Sequence, residues 1–277
     1  MEMFVIVAYC ASDDAKKVLN LTDDVQTKVG MAQIMTTVLT AARFFGGNHK
    51  NAQEYLYDCR YFHHKLSPSQ FNRRYHNIPD TLTQEIMRQL GHYAKCMNES
   101  FDYAIDSFPV AACDNIRISR CKLFRSEKYR GKIASKKRYF YGVRVHMITS
   151  HNRMPVEFKI LPGGMSDVRA MRYFHFDLPA GSSIGSDKGY TDYAREDALK
   201  SEKNIFLNSI RKRNSKRLRD PRDEAMIRRK RKKVETTFSS ITELIPRSIH
   251  AVTQLGFLKK VACFVLAYAL SRLAVTI

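Results

Sequence analysis

One long β run decides the fold class of this 277-residue chain: Arg138-Tyr-Phe-Tyr-Gly-Val-Arg-Val-His-Met-Ile-Thr149. Its aromatic and β-branched residues recur with a period of two, which is typical of a β-strand. A turn at 150–154 separates this run from a second one at 155–161. Because two such runs joined by a short turn pair with each other, the sequence predicts an antiparallel hairpin within a β-sheet.

Shorter strands alternate with helices on both sides of the hairpin. A strand at 103–106 precedes it, and strands at 182–187 and 204–208 follow it. Helical patterns occupy further segments, namely from 166 or 167 to about 174, from 191 to about 202, from about 223 to 243, and from 254 onward. This order predicts a mixed β-sheet flanked by helices over residues 99–277.

Residues 1–98 have a different, wholly helical pattern. We predict a buried apolar helix at 3–11, a helix capped by Thr22 that ends at 46–47, a helix at 52–62 capped by Asn48, a capping box at 67–70 and a last helix at about 80–97. Arg73 and Arg74 lie on the shortest of these helices, which is compatible with a helix-turn-helix reader of DNA. Any small helical bundle has a similar pattern, so the sequence leaves both interpretations open. The chain is therefore predicted to be an α+β protein with an N-terminal all-helical domain, 1–98, and a sheet domain, 99–277.

The charge of the chain points to a polyanionic partner. Lys and Arg number 47 against 27 Asp and Glu, which gives a formal net charge of +20. With 44% hydrophobic residues the chain has the material for a core, which excludes a disordered basic tail as its main content. Half of the surplus lies at 211–233, where thirteen basic residues stand against three acids. A solvated face or a targeting signal is the alternative interpretation of that run.

Cysteine spacing and hydropathy exclude several other classes. The six cysteines form no CxxC pair, which argues against a zinc site or a disulfide framework and favours reduced thiols in the cytoplasm. No apolar segment is long enough to span a bilayer, so no membrane partner is expected. No small-molecule cofactor is expected either.

Three acids stand out by their positions. Asp106 and Asp187 each end a predicted strand, and Glu235 is the lone acid in a helical segment that begins with six consecutive basic residues. Taken singly, the aspartates are typical turn formers or helix caps, and Glu235 is a typical ion-pair partner of Arg231. Carboxylates held together repel each other unless divalent cations bind among them, and oxygen ligands favour Mg²⁺ or Mn²⁺. Two such ions together are suited to cutting or joining phosphodiesters.

Blocks of residues along most of the chain resemble bacterial insertion-sequence transposases. The resemblance is to the insertion-sequence family numbered nine-eight-two, within the DDE superfamily of RNase H-like transposases. It rests on Ile105-Asp-Ser-Phe-Pro-Val110, Ser135-Lys-Lys-Arg-Tyr-Phe-Tyr-Gly142, Pro155-Val-Glu-Phe158, Ser186-Asp-Lys-Gly-Tyr190, Arg213-Asn-Ser-Lys-Arg217, Val234-Glu-Thr-Thr-Phe-Ser239 and Ile249-His-Ala251.

This resemblance implies an RNase H-like catalytic domain in which Asp106, Asp187 and Glu235 form the Asp-Asp-Glu triad and bind the metal ions. It also implies cleavage at transposon ends, followed by attack of the freed 3′-hydroxyl on target DNA. In related transposases a Tyr and a Lys flank the helix arginine and glutamate, but here Arg228 and Thr242 stand at those positions. Phosphate contacts are expected from basic residues of the glutamate helix, of the β run and of the loop at 211–219, namely Arg228, Arg231, Lys232, Lys136, Lys137, Arg138, Arg211, Lys212, Arg213, Lys216 and Arg217.

The expected partner is double-stranded DNA, both transposon ends and target. Tyr190 is placed either to stack on an unpaired base at the transposon end or to pack in the core. Because two DNA ends must be brought together, a homodimer on DNA is expected, in the bacterial cytoplasm at the nucleoid. Two other functions stay open, a transposase-derived DNA-binding regulator that has lost catalysis and a metal-dependent DNA endonuclease that cuts without joining.

Overall fold

The computed structural model describes residues 1–133 and 137–276. The chain forms two compact units, one made of Met1–Leu90 and Ser240–Ile277, the other of Gly91–Ser239. The C-terminal helix thus belongs to the first unit, together with the N-terminal helices. The reason lies in its composition, since the run at 261–270 is buried along its whole length and requires apolar neighbours on every side.

The first unit is helical, as predicted. It contains α1 (Glu2–Val18), α2 (Met31–Phe44), α3 (His49–Asp58), α4 (Pro68–Asn77), the larger part of α5 (Asp80–Cys96) and, after the sheet unit, the last helix (Gln254–Thr276). Two predicted caps are confirmed: Asn48 accepts the Asn51 N–H, and Ser67 forms a capping box with Gln70. The last helix packs against α1 and α2, which places α2 at the centre of this unit.

Two predictions for the N-terminal helices are wrong in detail. The second helix does not start at Thr22 but at Met31, because the Asp23 carboxylate accepts the Met31 N–H at 2.9 Å and the segment before it folds as turns. The first helix is not wholly buried either. It is amphipathic, with Phe4 and Val5 in the core while Met3 is 45% exposed.

The second unit is built on a mixed sheet, as predicted. Its strands within the described residues are β1 (Asp102–Asp114), β2 (Arg130–Ile133), β3 (Arg138–Ser150), β4 (Pro155–Pro162), β5 (Ser183–Ser186) and β6 (Phe206–Ser209). The predicted hairpin is confirmed as the antiparallel pair β3–β4. Along the sheet, β3 pairs antiparallel with β1, β1 pairs parallel with β5, and β5 pairs parallel with β6. The strand β2, which the sequence patterns did not reveal, pairs with the other end of β3.

Helices accompany the parallel strands: α6 (Asp167–Ala170), α7 (Tyr193–Lys203) and α8 (Pro221–Leu244), after which the last helix is α9. The spacing of Ile227, Val234, Phe238 and Ile241 in the sequence predicts an apolar stripe on α8, and this is confirmed because all four are buried. The Phe238 ring lies 4.9 Å from that of Phe108 on β1. Burial of this stripe, at about 1.5–3 kcal/mol per large apolar side chain, fixes which way the neighbouring stripe of α8 faces. That stripe carries Arg231 and Glu235.

No helix in the described part of the chain has both the length and the apolar character needed to cross a bilayer.

Candidate active site

Asp106 and Asp187 come together because of how β1 and β5 pair. The parallel register runs from Asp102 opposite Ser183 to Ile105 opposite Ser186. The next residue on each strand is an aspartate, so the two carboxylates leave the sheet side by side. The prediction that Asp106 ends its strand is wrong, since β1 continues to Asp114. The parallel pairing with β5 stops just before Asp106, because β5 ends at Ser186. The side chains of Asp106 and Asp187 therefore lie together, as they would if both strands ended there.

Arg231 on α8 joins the two aspartates. One guanidinium nitrogen donates to Asp106 Oδ2 at 2.8 Å, and the other lies 3.6 Å from Asp187 Oδ1. The Arg231 side chain is only 17% exposed, so this charge is held largely away from water. The Ser107 N–H donates to the second oxygen of the Asp106 carboxylate, Oδ1, at 2.8 Å, so both oxygens of that carboxylate have a donor. A buried cation therefore compensates the pair of acids.

Glu235 lies one helical turn beyond Arg231. Its side chain is exposed, and its charge acts on the Arg231 guanidinium. The structure thus places the third predicted acid beside the cation that binds the other two, rather than against their carboxylates. In residues 1–133 and 137–276, no three His, Cys, Asp or Glu side chains are grouped closely enough to hold a metal ion.

A fourth carboxylate near this site, that of Asp167, was missed, because the sequence indicates Ser166 or Asp167 only as the cap of the helix that follows. The Asp167 side chain lies at the start of α6, and its Oδ1 accepts a hydrogen bond from Ser107 Oγ at 3.3 Å. Burial raises the pKa of the Asp167 carboxyl group, and the negative charges of Asp106 and Asp187 raise it as well. The only signal in the sequence was its place directly after the β4 turn, which is shared by many helix caps.

Tyr190 is not available for stacking on a base. Its side chain is fully buried in the core of the sheet unit, among residues that include Ile184 and Phe176. The Tyr190 hydroxyl lies 3.0 Å from Nδ1 of His146, which is also fully buried. Core packing is therefore the interpretation that the burial supports, because the apolar ring faces the core and its hydroxyl has a polar partner.

The buried His146 makes the sheet unit sensitive to acid. Burial, together with the nearby charge of Arg144, lowers the pKa of His146 from 6.5 to about 3. Below pH 6.5 the unfolded chain binds a proton that the folded chain rejects, so stability is complete above this pH and falls as the pH drops towards 3. Between pH 7 and 5 we expect His146 to account for a loss of about 2 kcal/mol in the free energy of unfolding. Urea unfolding of wild type and His146→Gln at pH 7 and pH 5 measures this change in the free energy of unfolding.

His63→Gln, at an exposed position, is the control for this measurement. The His63→Gln variant should show the same pH dependence of stability as wild type. The His146→Gln variant should lose less stability than wild type between pH 7 and 5. Equal losses in wild type and His146→Gln would contradict the assignment.

The predicted DNA-contacting residues fall into two groups. Several are engaged in ion pairs: Arg211 donates two hydrogen bonds to Glu196 at 2.6 and 2.7 Å and is 4% exposed, Arg217 donates two to Asp197, Arg228 lies 3.6 Å from Glu224 and Arg138 lies 3.6 Å from Asp114. Arg211 therefore stabilises the loop through a buried ion pair. The sequence predicts that it contacts DNA phosphates, but its side chain does not face the solvent. Arg217, Arg228 and Arg138 are exposed in spite of these pairs. Exposed side chains of the second group are those of Lys137, Lys212, Arg213, Lys216, Lys232 and Arg73, and Arg74 is half-buried. Lys136 lies outside the described residues.

Comparison with known proteins gives one match, at the level of a family. A family model described as Transposase DDE domain matches residues 96–250, which is more than half of the chain. No curated protein and no solved structure matches. The resemblance to DDE transposases noted in the sequence is thus confirmed at the level of the family, while the insertion-sequence family nine-eight-two stays a prediction. The chain belongs to the family of transposase DDE domains.

Proposed function

We propose that the chain is a DNA transposase that cleaves the ends of an insertion sequence and joins them to target DNA. The observation that carries this proposal is the pair Asp106 and Asp187 at adjacent positions on parallel strands, bridged by Arg231 from the helix that carries Glu235. We assign these three acids to catalysis. The mixed sheet, with an antiparallel hairpin on one side of β1 and parallel strands on the other, supports an RNase H-like arrangement.

The chemistry of the site suits a hard divalent cation, Mg²⁺ or Mn²⁺. All candidate ligands are carboxylate oxygens, and Asp106 and Asp187 already share one positive group, the Arg231 guanidinium. We propose that Asp106, Asp187 and Glu235 would hold the ions, with two ions as the expected number. When bound, they would activate the attacking oxygen and stabilise the leaving oxygen of the phosphodiester.

The side chains themselves position the DNA. Arg231 presents a planar guanidinium, which matches the oxygens of a phosphate as well as it matches carboxylates. Lys232, exposed next to it on α8, contributes a second positive charge. A phosphate that takes over the guanidinium would leave Asp106 and Asp187 without their counter-ion, so DNA binding and cation binding at this site favour each other.

We expect the exposed basic residues of the loop after β6 to contact DNA phosphates. Each phosphate neutralised by a basic residue contributes a slope of roughly −0.9 to log K against log salt. The triple variant Lys212→Gln, Arg213→Gln, Lys216→Gln should flatten that slope by about 2–3 units, as measured by fluorescence anisotropy on a DNA duplex. Arg217→Gln is the matched control in the same loop, because Arg217 pairs with Asp197. A slope unchanged by the triple variant would remove this loop from the interface.

The helical unit is the proposed reader of the transposon end. Its helix α4 begins at the Ser67 capping box and carries the exposed Arg73 and the half-buried Arg74. This supports a helix-turn-helix-like role without identifying the helix that enters a groove. We propose a homodimer on DNA, because two ends must be held together, and the resemblance to bacterial insertion-sequence transposases supports a location at the nucleoid.

A single assay tests the function against its two rivals. Labelled DNA carrying the inverted repeats that flank the coding region is incubated with the protein and Mg²⁺, and the products are separated on a denaturing gel. Cleaved ends together with strand-transfer products support a transposase. Cleavage without joining would indicate an endonuclease, and binding without cleavage a regulator derived from a transposase.

A further inference from the structure

We propose that Asp167 is a positioning residue of the transposase site, which holds the segment after Asp106 and the segment after Asp187 in register. This inference rests on the proposed function for its activity readout. Its structural part, the orientation of the Asp106 carboxylate, is independent of it.

The first contact is with Ser107, the residue that follows Asp106. The Ser107 hydroxyl donates to Asp167 Oδ1 at 3.3 Å, and the same hydroxyl accepts from an Arg144 guanidinium nitrogen at 3.3 Å. The Ser107 backbone N–H meanwhile donates to Asp106 Oδ1 at 2.8 Å. Asp167 and Arg144 thus fix the residue whose amide orients the Asp106 carboxylate.

The second contact is with Gly189, two residues after Asp187. A Cβ at Gly189 would lie 2.5 Å from Asp167 Oδ2, so any other residue at this position would force the Asp167 carboxylate to move. The glycine therefore lets the Asp167 carboxylate pack directly on the short 3₁₀ turn Lys188–Tyr190 that follows Asp187. Glycine is favoured here by this close approach to a carboxylate and not by a left-handed backbone conformation.

Through these two contacts Asp167 links the segment after Asp106 to the segment after Asp187. Asp106 Oδ2 and Asp187 Oδ1 are bound by one guanidinium, and that geometry depends on the separation of the two backbone segments. A side chain that contacts both segments controls this separation without touching the reacting atoms. Partners of this kind are typically worth 10- to 100-fold in activity.

Asp167→Asn is the central variant, because it keeps the size of the side chain and removes the negative charge that accepts the hydrogen bond of the Ser107 hydroxyl and attracts the nearby Arg144 guanidinium. With saturating end DNA we expect kcat for cleavage to fall roughly 10- to 100-fold, with KM and the melting temperature close to wild type. Asp167→Glu should also lower kcat, because it keeps the charge but moves the carboxylate one methylene further along, away from its present position beside Ser107 and Gly189. The control is Asp192→Asn, at a carboxylate that caps α7, where asparagine is an equally good cap.

A second readout does not depend on catalysis. The Arg231 Nε–H signal in ¹H–¹⁵N spectra, assigned by its loss in Arg231→Lys, reports how the guanidinium sits on Asp106. Asp167→Asn should shift this signal and Asp192→Asn should not. Ser107→Ala removes the hydroxyl that donates to Asp167 and should shift the Arg231 signal as well. This variant decides the test if Asp167→Asn does not fold.

An Arg231 signal unchanged in both Asp167→Asn and Ser107→Ala overturns the proposal, whatever the cleavage result. Wild-type kcat in Asp167→Asn, while the wild-type protein itself cleaves, overturns it too. If the wild-type protein does not cleave end DNA at all, the proposed function has failed, and the Arg231 signal alone decides the positioning role.

Discussion

Asp106→Asn is expected to lower the rate of cleavage at transposon ends by roughly 10³-fold or more while leaving DNA affinity within about twofold. The substitution preserves the shape of the side chain and its contact with the Ser107 N–H, but it removes the negative charge that Arg231 and any bound cation require. Asp187→Asn and Glu235→Gln should act in the same direction. Single-turnover cleavage of labelled end DNA, with anisotropy on the same duplex, separates the loss of chemistry from a loss of binding.

Asp197→Asn provides the matched control for this loss. Asp197 is an aspartate of the same unit that forms an exposed ion pair with Arg217, and exposed pairs contribute little. We expect wild-type cleavage from it. An Asp106→Asn protein that cleaves at the wild-type rate would exclude Asp106 from the chemistry, and a fully active Glu235→Gln protein would direct attention to another acid.

Arg231→Gln is expected to change stability and cation binding together. Loss of the guanidinium leaves Asp106 and Asp187 next to each other without a counter-ion, and breaking a largely buried ion pair in this way costs about 3 kcal/mol in the free energy of unfolding. Millimolar Mg²⁺ should restore much of this stability, because a cation can now occupy the place that the guanidinium held. The melting temperature should therefore rise more with Mg²⁺ in the variant than in wild type. Cleavage should be lost because the phosphate contact is gone.

Arg228→Gln is the control, since it removes a charge one turn earlier on α8 from an exposed pair with Glu224. Its melting temperature should respond to Mg²⁺ as that of wild type does. If Mg²⁺ stabilises wild type and Arg231→Gln to the same extent, the guanidinium and the cation do not compete for the two carboxylates.

Local patterns predicted most elements of this fold. The period-two run that became β3, the turn before β4, the capping box at Ser67 and the apolar stripe of α8 each depend on neighbours within a few residues. The start of α2 was predicted wrongly because Asp23 caps it from eight residues away. The strand β2 was missed because four residues are too few for a periodic signal.

The candidate site divides in the same way. Residue type, position and the family resemblance made Asp106, Asp187 and Glu235 the candidate acids, but the sequence could not tell that Arg231 lies between the first two. That ion pair joins residues 125 positions apart, and it exists only because β1 and β5 pair in parallel while the apolar stripe of α8 turns Arg231 towards them. Asp167 was missed for the same reason, since its contacts are with Ser107, sixty positions away, and with Gly189.

By itself, the sequence determined the α+β class, the placement of most helices and strands, the excess of positive charge and the three acids, because these depend on composition and short-range periodicity. Only the tertiary structure decided which basic residues face the solvent and which compensate acids. Arg211 and Arg231 belong to the same basic run as Lys212 and Lys232, yet each forms an internal ion pair. Whether a charged side chain meets water or a carboxylate is set by strand register and helix facing, which join residues far apart in the chain.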